Sequence, residues 1–449
     1  MLGLLANLNY IYNERYMADF SFRYDAQSSF GADRKWAPFW SAGLGWNIHN
    51  ENFLRNSDRI NYLKIRGSVG ETGSVDYDPS QALATYYYLT GTRYLYNQGA
   101  FLKSLGNPEL GWQKTLGLNA GADLAFFDNR LNLTFDYYVK TTNDMITSIS
   151  VAPSTGNTQY TANLGKVENK GFELYARAEV VKIPARQLTV ALFGQLMRNK
   201  NTLKEISNSL RAYNEEVNAG LDGNAIADSD GNKYNKPRVN YIEGRSINGI
   251  YVNQSLGVDP ATGREFFVNQ KDGTYTTDWS SVNNIYAGST DPKFYGSFGL
   301  SVYWKTLLIT ANFGYSYGGY YYNQTLVDKV EDADLRYNVD RRVGSDRWTQ
   351  PGDVARFTGV TTVAGQGPAN TDRATRPTSR FVEKRSFLEL QAITATYDIR
   401  GPWIEQSPIG SLRLNFSIED LFHASTVKTE RGITYPYSRN FSLGVQITF

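Results

Sequence analysis

Phe441-Ser442-Leu443-Gly444-Val445-Gln446-Ile447-Thr448-Phe449 carries an apolar residue at every odd position and a small or polar one at every even position. A period of two belongs to a β-strand with one apolar and one polar face. Upstream, Leu412, Leu414, Phe416 and Ile418 alternate without error against Arg413, Asn415, Ser417 and Glu419. Leu131, Leu133, Phe135, Tyr137 and Val139 do the same against Asn132, Thr134, Asp136 and Tyr138. Further strands are expected at Leu4 to Tyr12, Tyr16 to Tyr24, Trp40 to Ile48, Leu63 to Val69, Leu116 to Phe126, Phe172 to Val180, Leu188 to Leu196, Phe294 to Trp304 and Leu307 to Tyr317. In Phe387 to Ile399 the apolar phase switches from Leu388 and Leu390 to Ile393, Ala395, Tyr397 and Ile399. One extra residue near Gln391 or Ala392, a β-bulge, restores the pattern.

Alternation alone also fits a soluble antiparallel sandwich, so the connections decide. Tight links at Asn13-Glu14-Arg15, Asp128-Asn129-Arg130, Ile183 to Arg186 and Lys305-Thr306 alternate with long ones near 73–110, 143–160, 200–244 and 321–381. Short turns on one rim and long loops on the other are the plan of an outer-membrane barrel. Structureless loops of that size would be anomalous inside a compact soluble domain. The expected fold class is an all-β, antiparallel transmembrane β-barrel of about 13 to 15 strands. The upper count applies if Arg245 to Val268 adds a pair around the turn Asp259-Pro260-Ala261-Thr262-Gly263.

Composition agrees. With 41% hydrophobic and 20% charged residues among 449, the chain is expected to fold. Mean hydropathy is −0.45, and no apolar run reaches the 18 or so residues of a spanning helix. The net charge of +2 offers nucleic acid no basic surface. The absence of Cys removes disulfides, thiol catalysis and Cys-ligated metals. The excess lies in 32 Tyr, 23 Phe and 8 Trp, amphipathic rings that collect at ligand surfaces and membrane interfaces.

Met1-Leu2-Gly3-Leu4-Leu5-Ala6 has neither the basic flank nor the apolar length of a signal peptide. An odd strand count departs from the even numbers of bacterial single-chain barrels. The expectation is a partial barrel with its first strand at an edge and further strands upstream.

Particular words then become recognisable. Asn107-Pro108-Glu109-Leu110-Gly111-Trp112-Gln113-Lys114-Thr115, Phe127-Asp128-Asn129-Arg130-Leu131 with Asp136-Tyr137-Tyr138, and Gly165-Lys166-Val167-Glu168-Asn169-Lys170-Gly171-Phe172-Glu173 occur in that order. Arg347-Trp348-Thr349, Ser386-Phe387-Leu388-Glu389-Leu390 and Tyr435-Pro436 follow. Ahead of them, Arg23 to Gly31 with Trp46 is similar to a known stretch, with Ala26-Gln27 where a glycine is usual. Together they resemble the barrel of the SusC/RagA family of TonB-dependent outer-membrane transporters, from about residue 7 to Phe449.

The resemblance covers the C-terminal part of that barrel. On this resemblance the export signal, the TonB-contacting segment, the plug domain and the first strands are expected to have no counterpart here. It implies import of a glycan (oligosaccharide) or peptide across the outer membrane of a Gram-negative bacterium. Its implied partners are membrane lipid, a SusD-like lipoprotein, the barrel-assembly machinery, and the TonB complex only through missing N-terminal parts. A surface β-rich glycan-binding module and a passive porin are the alternatives.

No enzyme chemistry is expected. His49 and His423 stand alone on separate strand ends, and neither a Gly-x-Ser-x-Gly elbow nor a P-loop occurs. Asp222, Asn224, Asp228, Asp230 and Asn232 suggest a calcium loop, but Pro237 occupies the position of its bidentate acid, so a turn is expected and no cofactor or metal. Asp19, Arg23, Lys64, Arg66, Glu173, Arg177, Glu179, Arg413 and Glu419 lie on polar strand faces. Facing lipid at the midplane, Arg or Lys would cost about 2–4 kcal/mol each, so these residues are expected to line the lumen. Tyr86, Tyr87, Tyr88, Tyr94 and Tyr96 in a long loop are candidate sugar-stacking residues. Tyr315 to Tyr322 fit an aromatic girdle better. Asp328 to Arg342 is expected to be a solvated loop element with a short helix. Phe441 and Phe449 frame the final strand and resemble an assembly signal.

Overall fold

The computed structural model describes residues 2–27, 35–74, 83–94, 97–104, 107, 110–150, 159–163, 165–222, 235–333, 338–359, 375–406, 408–428 and 438–449. Thirteen strands form one antiparallel sheet in which each strand pairs with its neighbour along the chain. They are β1 (Leu2–Tyr12), β2 (Tyr16–Ala26), β3 (Trp36–Asn47), β4 (Ile60–Ser74), β5 (Gln113–Phe126), β6 (Leu131–Asn143) and β7 (Lys166–Ile183). The others are β8 (Leu188–Glu205), β9 (Phe294–Trp304), β10 (Leu307–Tyr322), β11 (Val382–Ile399), β12 (Ser411–Ser425) and β13 (Asn440–Thr448). Among the described residues β1 pairs with β2 alone and β13 with β12 alone, so the wall is open and β1 lies at an edge.

The tight links fall where the sequence places them. Asn13, Asp128, Asn129 and Lys305 hold left-handed backbone with φ of 48°, 55°, 62° and 54°. Asn and Asp accept that conformation more readily than most residues, and it matches the twist of a two-strand turn. The bulge also appears, as a register shift in β11 between Leu390 and Ala392.

The fifteen-strand option does not hold. Gly249–Asn253 pairs with Asn284–Ser289, and Ser255–Val258 pairs with Glu265–Val268, in small sheets of their own. Strands of 4 to 6 residues fall short of the 9–11 or so that cross a bilayer. The β8–β9 connection therefore runs to Phe294, beyond the expected end near 244, and carries a helix, α1 (Asn208–Asp222), that the strand pattern does not announce. The 73–110 connection holds a hairpin, Thr85–Tyr94 against Asn97–Ser104.

Register sorts every wall residue to one of two faces. The apolar face carries two aromatic pairs on β2 and β3: Tyr24 stacks on Trp36 at 4.9 Å, and Tyr16 on Trp46 at 6.2 Å. Tyr16 and Tyr24 are eight residues apart in one strand, about 26 Å along it. That is close to the 25 Å or so of the apolar band between aromatic girdles. At the short-turn rim the polar ends of the rings are satisfied, since Tyr16 Oη and Trp46 Nε1 both donate to Glu51, at 2.9 and 3.0 Å. No described helix is long and apolar enough to cross a membrane.

Packing density sits in the long loops. Leu326, Val327, Val330, Ala333, Val343, Phe357 and Phe381 form a buried cluster at the outer rim. Val330 lies inside the segment expected to be solvated; Val327–Glu331 is a helical turn and Arg342–Ser345 a second. The cluster buries them because Phe357 and Phe381 fold back over that turn.

Candidate functional site

The polar face is the first candidate surface. Asp19, Arg23 and Asp25 share it on β2, Lys64 and Arg66 on β4, Asp123 on β5, Asp136 on β6, and Glu173, Arg177 and Glu179 on β7, as the cross-strand partners show. From β7 the same side continues through Gln195, Ser297, Gly314 and Glu389 to His423, and through Thr394 to Ser417. Arg413, Asn415 and Glu419 of β12 are on that side too. All nine expected charges therefore lie on one face.

These charges pair sideways across strands. Arg66 donates to Asp123 at 3.2 Å and to Asp136 at 2.7 Å. Gly121, between them in register, is what lets the guanidinium pass: a Cβ there would sit 2.6 Å from Asp136 and 2.8 Å from Arg66 Cζ. Arg23 pairs with the buried Asp25 at 2.9 Å, and Arg413 with Asp398 at 2.5 Å. Towards the outer end Asn199 and Asn201 donate to Asn169 at 3.1 and 2.9 Å, and Tyr138 donates to Asn199 at 3.3 Å. Pairing of this kind holds charge and amide groups at fixed places on a wettable wall.

The tyrosine cluster is split by its hairpin. Tyr86, Tyr87 and Tyr88 are exposed by 61, 48 and 72%, but alternation puts Tyr87 on the opposite side of the ribbon from the other two. Tyr94 ends the same strand, and Tyr96 lies outside the described residues, as do 223–234 of the acidic turn. Phe441 and Phe449 are exposed on the last strand and just beyond it. His49 Nδ1 donates to the Leu63 carbonyl at 3.1 Å, far in sequence from His423, and the described residues contain no metal-binding cluster of His and carboxylates.

A buried ionic knot at the outer rim was invisible to strand patterning. Arg380 pairs with Glu265 at 2.9 Å and with Glu331 at 2.8 Å, and Glu331 is wholly buried. Thr378 donates to Glu265 and Thr358 to Glu331, both at 2.6 Å. Arg347 donates to the backbone carbonyls of Val343, Thr358 and Val330. Beside them burial pushes the Asp332 carboxyl up to about 6, against the pull of the Thr375 hydroxyl and N–H that donate to it. The two carboxylates hold the Arg380 guanidinium firmly charged despite its burial. The knot ties the β8–β9 loop to the β10–β11 loop. Its one trace in the sequence is Arg347-Trp348-Thr349, among the words that carry the family resemblance.

Comparison with known proteins agrees with this geometry. The model of the family described as TonB dependent receptor-like, beta-barrel matches residues 2–305. TonB-dependent receptor P39 of Formosa agariphila is 27% identical over 94% of this chain and 42% of its own length. TonB-dependent receptor SusC of Bacteroides thetaiotaomicron is 26% identical over the whole chain and 44% of its own length. The structure of the RagAB peptide transporter superposes over the whole chain and 47% of its own, with a TM-score of 0.80 at 24% identity. The chain thus spans less than half the length of these relatives, which are named as receptors and a transporter rather than enzymes. It belongs to the TonB-dependent receptor-like β-barrel family of the Gram-negative outer membrane.

Proposed function

We propose that this chain supplies the C-terminal wall of a SusC/RagA-like importer that takes up an oligosaccharide or a peptide together with a SusD-like lipoprotein. The observation that carries the reading is the continuous polar face, with its nine charges, running from β2 to β12. On this reading Asp19, Arg23, Lys64, Arg66, Glu173, Arg177, Glu179, Arg413 and Glu419 line the lumen, because the opposite assignment leaves charge in hydrocarbon. The loop-bearing rim receives the lipoprotein, and the Tyr86, Tyr87 and Tyr88 hairpin, with Tyr94 and Tyr96, offers rings to the ligand. Phe441 and Phe449 present the last strand to the barrel-assembly machinery.

The test is purification of the full-length protein from its host through an affinity tag in the Thr85–Ser104 hairpin. Extraction only with detergent, with a SusD-like lipoprotein in the same complex, supports the reading. Recovery from the aqueous fraction overturns it in favour of a glycan-binding module. Steady, ungated conductance in planar bilayers overturns it in favour of a passive porin.

A further inference from the structure

The apolar face of β7, β8 and β9 ends abruptly at its outer edge. Ala176, Gly194 and Phe298 lie in one cross-strand row, then Leu174, Leu196 and Gly296 in the next, then Phe172 beside Arg198. The row after that pairs Lys170 directly with Lys200. Lys170, Arg198 and Lys200 therefore share the apolar side of the wall, within two residues of one another along their strands. Arg198 is level with the last apolar ring, Phe172, and a rise of about 3.3 Å per residue puts Lys170 and Lys200 roughly 7 Å beyond it.

Like charges directly opposite in an antiparallel pair destabilise it, and the one acid that acts on both lysines, Glu168, is shared with a third, Lys204. Among the described residues none of the three cations forms an ion pair with an acid. Glu168, one row further out, is taken by Lys204 at 2.9 Å. Arg198 is held over the Phe294 ring, 5.6 Å from its centroid, which steadies the guanidinium without neutralising it. Arg198 and Lys200 also border a pocket of about 520 Å³ to which Arg245 and Lys293 contribute. Its one acid, Asp291, already accepts from Ser246, Ser289 and Asn248.

A second concavity lies immediately inward on the same face. Leu174, Ala176, Gly194, Leu196, Phe298 and Tyr315 line an apolar groove of about 430 Å³. Small residues make its floor and Phe298 its wall, stacked on Phe313 at 5.1 Å. An apolar slot below a cluster in which cations outnumber the one nearby acid has the order of parts of an acyl lipid with a charged phosphate head.

We propose that this end of β7, β8 and β9 binds a phosphorylated acyl lipid, its phosphate on Lys170, Arg198 and Lys200 and an acyl chain in the groove over Ala176 and Gly194. The proposal rests on the reading that the apolar face meets lipid. Phosphate is the matching head because three cations with nitrogen donors surround its oxygens, and the neighbouring aromatic ring places them at headgroup depth.

The experiment is native mass spectrometry of the full-length protein, delipidated in neutral detergent and titrated with dimyristoyl phosphatidic acid, dimyristoyl glycerol or inorganic phosphate. Phosphatidic acid is expected to be retained, with the other two far weaker. Joint substitution Lys170→Gln, Arg198→Gln and Lys200→Gln should weaken retention about a hundredfold, from roughly a fivefold contribution per cation. Ala176→Leu, which fills the groove, should weaken it too, whereas Lys170→Arg with Lys200→Arg should preserve it. Displacement by equimolar phosphate would assign a soluble anion instead and overturn the lipid site. Equal retention of the glycerol lipid would reduce the groove to bulk lipid contact, and a dimer split by added lipid would make the face an interface between copies. Recovery without detergent would overturn the barrel reading and this proposal together; a detergent-dependent protein indifferent to phosphatidic acid overturns this one alone.

Discussion

At the scale of single residues, the polar face works by placing one cation between two acids. Arg66 sits between Asp123 and Asp136 only because position 121 has no side chain. Gly121→Ala would push the guanidinium aside, and Arg66→Gln would remove it. Since all three groups are partly open to water, each change should cost about 1 kcal/mol. The two should not add, because both abolish the same bridge. A double-mutant cycle on thermal unfolding checks this, and full additivity would show that Gly121 has no part in it. Asp332 gives a second residue-scale outcome. Its folded carboxyl titrates near 6 rather than 3.8, so the folded rim binds that proton more tightly than the unfolded chain does. Its contribution to stability is full below about pH 4, falls as pH rises to about 6, and is flat above, a loss of about 3 kcal/mol. Hydrogen exchange of the rim loops at pH 5 and 7.5 should show that slope in the parent and lose it in Asp332→Asn; an unchanged slope would clear Asp332 of the role.

At the scale of elements, what the sequence reveals depends on how many surroundings a segment has. Each wall strand meets two media, so its side chains alternate, and β6, β12 and β13 could be read off residue by residue. Even the β11 bulge announced itself as a phase error at Gln391. The rim loops meet each other instead. Arg380 and Glu265 are 115 positions apart, and no local period connects them. The expectation of a solvated segment at 328–342 holds at Asp328, Lys329, Asn338, Val339 and Arg341, which are exposed, but not at Val330 and Glu331, which are covered by Phe357, Phe381 and Arg380 from later in the chain. That knot should be the rim's weak point. Arg380→Ala leaves Glu265 and Glu331 buried without their cation, a loss of about 3–5 kcal/mol. Limited proteolysis in detergent should then cut within 206–293 and 323–381 while the wall resists. A rim as resistant as the parent's would mean that the apolar cluster alone holds the loops.

At the scale of the whole molecule, the wall separates two media, and its face assignment is one global choice. Register links every strand to the next, so lumen and lipid cannot be exchanged on one strand without exchanging them on all thirteen. The aromatic pairs at both ends of β2, the charges on the opposite face and the apolar alternation of β12 and β13 all favour one solution. Labels on two distant strands test it. Nitroxides at Leu414 on β12 and Phe172 on β7 should relax with oxygen, which concentrates in hydrocarbon. Those at Asn415 and Glu173, one residue along in each strand, should relax with a water-soluble nickel chelate. If all four respond in the reverse sense, the wall is inside out and the polar face is not a transport path. If only one strand reverses, its register with its neighbours is wrong while the rest of the assignment stands. Agreement at both strands ties the polar residues of β7 and β12 to a single aqueous surface, as a translocation path requires.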